Sequence, residues 1–210
     1  MPARTTTAMP VRAKLAVAAV LLGAAGWWLA DRHDRLTNQA RLGAIASAIA
    51  HRPVEVRCPG PFARTFMFET LDGSVAFDAD GRPHDETKLR EAPCAELDAL
   101  AEGERMPQLA CVERSTSCGD DAQALARAVD VLTHESWHLR GLMDEAETEC
   151  RSLQTLAWAA QRLGATEPQA RGLAALQLET GYHRLPARYR SGDCVDGGRL
   201  DLRPGDPRWP

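Results

Sequence analysis

Residues 134–138 read His134-Glu135-Ser136-Trp137-His138. Side chains four apart on a helix lie on one face, so the two imidazoles point the same way and can hold one metal ion. Glu135 is then placed to take a proton from a water polarised by that ion. Two histidines leave a small divalent ion short of ligands. After Gly141 comes Asp144-Glu145-Ala146-Glu147-Thr148-Glu149-Cys150, which offers carboxylates for a third position. Zinc suits such a set, because three protein ligands keep a fourth position open for water. The chemistry expected is zinc-dependent hydrolysis.

The elements that must position these groups are legible around them. Cys118-Gly119-Asp120 marks a helix start, and the apolar residues from Ala122 to Leu132 leave Gln123, Arg127 and Asp130 as a polar stripe running into His134 and His138. Such a stripe on a mostly buried helix should face a cleft. Gly141 can end that helix in a left-handed conformation, and Asp144 can cap the next, which should run to Leu163 before Gly164. On this second helix Glu145 and Glu149 share a face with Leu153, Leu156 and Ala160, a core stripe on which carboxylates need a cation or hydrogen-bond donors. Glu147 points away and can pair with Arg151. A further helix is expected from Thr166-Glu167-Pro168 to about His183, followed by an irregular tail after Pro186. Tyr182, His183 and Tyr189 follow that helix and are candidate donors to a developing oxyanion. Trp137 reads as a core or cleft-wall residue.

Ahead of the motif, residues 54–58, 65–68 and 74–77 read as short strands, with Asp72-Gly73 and Asp80-Gly81 as turns. Asp78-Ala79-Asp80-Gly81 lacks the remaining ligand positions of a calcium loop and reads as a plain turn. A helix is expected over Glu86 to Leu100. The fold class expected is α+β, mainly helical, with a small N-terminal sheet.

The segment His134 to Ser152 resembles the zincin metallopeptidases, and among them the gluzincin-like group, in which a glutamate on the helix after HExxH completes the metal site. Glu145, Glu149 and Ser152 match the glutamate, the acidic residue four later and the small residue three further on. The resemblance implies Glu145 as third ligand and Glu149 as an acid orienting a histidine. It also implies a zincin-like domain, one zinc ion and a peptide or protein substrate. The chain departs from the pattern in the short connection between His138 and Glu145. A tight hairpin there would instead bring Glu149 opposite the middle of the motif.

Residues 15–30, LAVAAVLLGAAGWWLA, form an uncharged run preceded by Arg4, Arg12 and Lys14. It reads as a transmembrane signal-anchor, with secretion after cleavage as the alternative. The basic residues place 1–14 in the cytoplasm, 31–52 become a juxtamembrane helix or linker, and 53–210 form the extracytoplasmic domain. Six cysteines, Cys58, Cys94, Cys111, Cys118, Cys150 and Cys194, all lie beyond the run. An even number in an exported domain points to three disulfides; of about fifteen possible pairings sequence alone does not choose, and the set favoured is Cys58 with Cys94, Cys111 with Cys118 and Cys150 with Cys194. The 210 residues carry a net charge of −4 with no basic stripe, which argues against a nucleic-acid partner. The rival function is a non-catalytic cell-envelope binding protein with a structural or vestigial metal site.

Overall fold

The computed structural model describes residues 11–60, 72–115, 117–206 and 209–210, with side chains at only some positions of residues 11–35. The chain divides into two compact units, Met1–Thr37 and Asn38–Pro210. Helix α1 (Val11–Ala50) spans the boundary between them. In the first unit it exposes Val20, Leu22, Leu29 and Leu36. Among the described residues no helix is long and apolar enough to cross a membrane, so the spanning segment expected over 15–30 is not supported. Sixteen residues rise about 24 Å against a hydrocarbon core of about 30 Å, and half of this run is alanine and glycine.

The second unit is α+β and mainly helical. The last turns of α1 contribute Leu42, Ile45, Ala46 and Ile49 to its core. A three-stranded sheet follows in the order β1-β3-β2: β1 (Glu55–Arg57) runs parallel to β3 (Pro83–Leu89), and β2 (Gly73–Phe77) runs antiparallel to it. The strand expected over 65–68 lies outside the described residues. Between β2 and β3 the Asp78 carboxylate accepts the backbone N–H groups of Asp80 and Arg82, while Gly81 takes φ +75°, a plain turn.

The helix expected from Glu86 is corrected: residues 86–89 are strand, and α2 (Glu91–Ala101) begins at Glu91. Alternation wins there over helical spacing. Thr87 and Leu89 are buried on one face while Lys88 is exposed, and the Thr87 hydroxyl donates to the Ser74 carbonyl across the ladder.

Helix α3 (Met106–Val112) precedes α4 (Asp120–Leu139), which lies at the centre, packed by α2, by α5 (Glu145–Arg162), by α6 (Glu167–Leu176) and by the β2–β3 hairpin. Leu125, Leu132 and Leu139 on α4 are fully buried. Each such leucine contributes about 1.5–3 kcal/mol by leaving water. Asp120 and Asp121 in its first turn suit the helix dipole.

After α6 the chain passes through a π turn (Gln177–Gly181) and two 3-10 turns (Tyr182–Arg184 and Ala187–Tyr189) into an irregular tail. The tail packs as a small satellite core of Cys150, Leu153, Tyr182, Cys194 and Leu200. Gln154 of α5 ties it down, donating to the Leu200 carbonyl and accepting the Leu202 N–H. The disulfides are Cys58–Cys94, Cys111–Cys118 and Cys150–Cys194, the three expected pairs.

Candidate metal centre

The connection between α4 and α5 decides the geometry of the site. Gly141 takes φ +104°, the Gly141 N–H reaches the His138 carbonyl, and the Leu142 N–H reaches the Trp137 carbonyl. This is a Schellman cap, which closes α4 within two residues and turns the chain back. The Asp144 carboxylate then accepts the Glu147 N–H and starts α5 at Glu145. The result is a tight helical hairpin.

The hairpin brings three ligand atoms together. His134 Nε2 and His138 Nε2 lie 3.0 Å apart. Glu145 Oε2 lies 3.2 Å from the first and 3.4 Å from the second. An ion bound tetrahedrally at 2.0–2.1 Å needs ligand atoms about 3.3 Å apart. These three separations fit the edges of such a site, and His134, His138 and Glu145 can hold a metal ion.

The other nitrogen of each ring is engaged. His138 Nδ1 donates to the Leu142 carbonyl at 2.7 Å, a carbonyl placed there by the Schellman cap. His134 Nδ1 meets Glu149 Oε2 at 2.7 Å. With a proton on each Nδ1, both Nε2 atoms present lone pairs to the same point. Glu149 thus sits behind His134 rather than at the Nε2 atoms. Its side chain is 3% exposed, against 38% for Glu145. Glu147 is paired with Arg151 at 2.6 Å, as its outward position requires.

Charge is unevenly held here. Burial opposes a charge on His134, but the hydrogen bonds it donates to Glu145 and Glu149 and the charges of Glu149 and Glu135 outweigh it, raising its pKa to about 10. Burial pulls His138 down, outweighing the Leu142 carbonyl. The hydrogen bond from His134 holds Glu145 below its ordinary value. A divalent cation at the shared point would take the place of the His134 proton.

Glu135 is 6% exposed and borders the same cleft. Burial raises its pKa to about 7, only partly offset by His134. Its Oε2 is buried without a hydrogen-bond partner. Gly73 makes room for it: a Cβ there would lie 2.6 Å from Glu135 Cγ. The sequence marked Gly73 only as a turn residue.

The cleft has a volume of about 400 Å³. Val75, Phe77 and Met143 line one side, and Leu185, Pro186 and Tyr189 another. The Phe77 ring stands 6.2 Å from His138, and the Tyr189 ring 6.2 Å from His134. Of the three candidate donors, the structure places only Tyr189 at the cleft. Tyr182 is buried in the satellite core, where its hydroxyl accepts the Ser191 N–H at 3.0 Å. His183 is exposed beside the Tyr182 ring. Trp137 is a core residue on the α4–α5 side, donating to the Thr155 hydroxyl at 3.1 Å.

Sequence reasoning missed a buried polar cluster behind the site. Asp130 accepts from Ser152 Oγ at 2.6 Å and from Gln177 Nε2 at 2.8 Å, joining α4, α5 and the π turn. Burial raises the Asp130 pKa to about 7, and the charge of Glu149 adds to the effect. Asp130 was visible as part of the polar stripe; nothing in the spacing pointed to Gln177. Comparison with known protein families, with curated proteins and with solved structures finds no match for this chain.

Proposed function

We propose that this chain is a zinc-dependent hydrolase, a metallopeptidase of an oxidising, extracytoplasmic compartment. The observation that carries the reading is the convergence of His134 Nε2, His138 Nε2 and Glu145 Oε2 at tetrahedral spacing, with Glu135 buried beside them in an open cleft. The nitrogen and oxygen donors and three-ligand count suit zinc, which supplies a Lewis acid for the scissile carbonyl and an acidified water when bound. Glu149 and the Leu142 carbonyl orient the two imidazoles. Glu135 takes a proton from the attacking water and returns it to the departing amine. Tyr189, which borders the cleft with its ring 6.2 Å from that of His134, is the candidate donor to the oxyanion.

The location rests on two features. Three disulfides fit an oxidising compartment. The uncharged run over 15–30 follows basic residues, as in an export signal.

The test starts with metal content of the full chain, purified with its disulfides intact and without chelator. One zinc per chain is expected, lost in His138→Ala and kept in Glu135→Ala. The latter should reduce hydrolysis of a mixed peptide pool by at least about a hundredfold. Failure to take up zinc stoichiometrically would discard the hydrolase. Full zinc with no Glu135-dependent turnover would favour an envelope protein with a structural metal.

A further inference from the structure

We propose that the wall formed by Val75, Phe77 and Met143 selects substrates with a bulky apolar side chain next to the bond that is cut. This deepens the metallopeptidase reading and rests on it. The two ends of the cleft differ in kind. Along α4, Arg127 and His134 lie seven residues apart, about 10 Å, and His138 is one turn further. At the Arg127 end the charges answer one another: Arg127 Nε lies 3.4 Å from Asp72 Oδ2, and its Nη1 lies 3.9 Å from Asp130 Oδ2. That guanidinium is engaged and offers no free anion site.

The His138 end is apolar. Strand β2 lines the cleft with Gly73, Ser74, Val75 and Phe77, of which Gly73, Val75 and Phe77 are half-buried and Ser74 is exposed. Gly73 makes room for Glu135, and Phe77 meets His138 edge-on at an interplanar angle of 87°. Met143 lies just beyond the α4 cap and is 61% exposed, with Met106 and Val195 one of the exposed large apolar side chains among the described residues of the second unit. The β2–β3 turn backs it, since a Cβ on Gly81 would lie 3.6 Å from its sulfur. A flexible thioether held at the rim of a cleft adapts to apolar groups of differing shape.

The position of the metal group determines what meets this wall. The Phe77 ring stands 6.2 Å from the His138 ring in the same cleft, so the side chain on the carbon next to a carbonyl held at the Nε2 atoms is the group that faces this wall. Covering these residues removes apolar surface from water on both partners. A charged side chain there would lose its hydration with no counter-charge in the wall.

The probes are the hydroxamates of glycine, leucine and aspartate, small chelators that occupy a metal's open position, titrated calorimetrically into the zinc-loaded full chain. Leucine hydroxamate should bind at least about tenfold tighter than the glycine compound, the discrimination ordinary for an apolar pocket, and the aspartate compound no tighter than glycine. In Met143→Ser and Val75→Ser the leucine advantage should fall to within about threefold, with zinc content unchanged. Equal binding of all three probes, or an undiminished leucine preference in both variants, overturns the proposal and leaves the metal site standing. Zinc bound with no hydroxamate binding would mean the metal has no open position, and both readings would fail.

Discussion

The α4–α5 hairpin and the C-terminal segment after Leu176 both contribute to the cleft, but they are held in place by different forces. In the hairpin His134 and His138, and again Glu145 and Glu149, lie one helical turn apart, and the turn between the two pairs is set by a glycine cap followed by an aspartate cap. The C-terminal segment has no such regularity. Its π turn, its 3-10 turns and the wall residues Leu185, Pro186 and Tyr189 are held from afar, by Cys150–Cys194, by Gln154 and by the Gln177 contact to Asp130. Local geometry thus builds the ligand set, and distant ties build one wall around it.

The contrast can be broken most severely inside the hairpin. Glu149→Gln removes the carboxylate that orients His134, and zinc affinity should fall about 10- to 100-fold by competition with a chelating dye. Glu147→Gln, two residues away on the outer face, should leave affinity unchanged. Equal losses in both variants would show that general helix charge, and not the contact to His134, matters.

Breaking the tail should have the opposite signature. The double variant Cys150→Ser with Cys194→Ser opens a tie between residues 44 apart in sequence. It should cost about 2–4 kcal/mol in urea unfolding. Zinc affinity should stay within a few-fold of the parent, because the ligand set belongs to the hairpin. Loss of zinc binding in this variant would erase the distinction.

The pH dependence sharpens the view of the hairpin. In chelator-treated protein, the His134 pKa is raised from 6.5 to about 10, so its contribution is full below 6.5 and is lost as pH rises toward 10. Glu135 is raised from 4.5 to about 7, so the folded state holds its proton longer and loses stability across that window as well. These two act in one direction; the lowered His138 opposes them below pH 6.5, so the melting temperature should fall chiefly between pH 6.5 and 8.5. Saturating zinc should reverse the trend, since deprotonated ligands bind it. Parallel curves with and without zinc would contradict the shared site.

The smallest effect is expected far from the cleft. Burial and the neighbouring Glu102 raise Asp98 on α2 from 3.8 to about 6, so its ionisation costs stability as pH rises through that range. Asp98→Asn should give a slight gain above pH 6 in thermal melts and none below pH 4. A gain at both pH values would point to packing instead of charge.

The hairpin was readable from residue types because its information is local. HESWH, Gly141, Asp144 and the Glu145/Glu149 spacing each act within one or two turns. That the six cysteines form three disulfides was legible from their even number, but sequence alone does not choose among fifteen pairings, and the pairs favoured there are fixed by the structure. Strand β3 was misread because Glu86 to Leu89 carries helix-tolerant residues. Burial of Thr87 and Leu89 against the core, a tertiary fact, decides it.

By itself, then, the sequence determined the ligand types, the turn that brings them together and the helix faces they occupy, because backbone periodicity and capping act over short spans. Only the tertiary structure decided that Glu145 meets the two Nε2 atoms while Glu149 meets the far side of His134. It also decided that Tyr189 borders the cleft while Tyr182 is buried, and that Gly73, Phe77 and Met143 gather around Glu135 and His138. Those choices depend on how a helical hairpin, a sheet and a cross-linked tail pack against one another. No spacing along the chain encodes that packing.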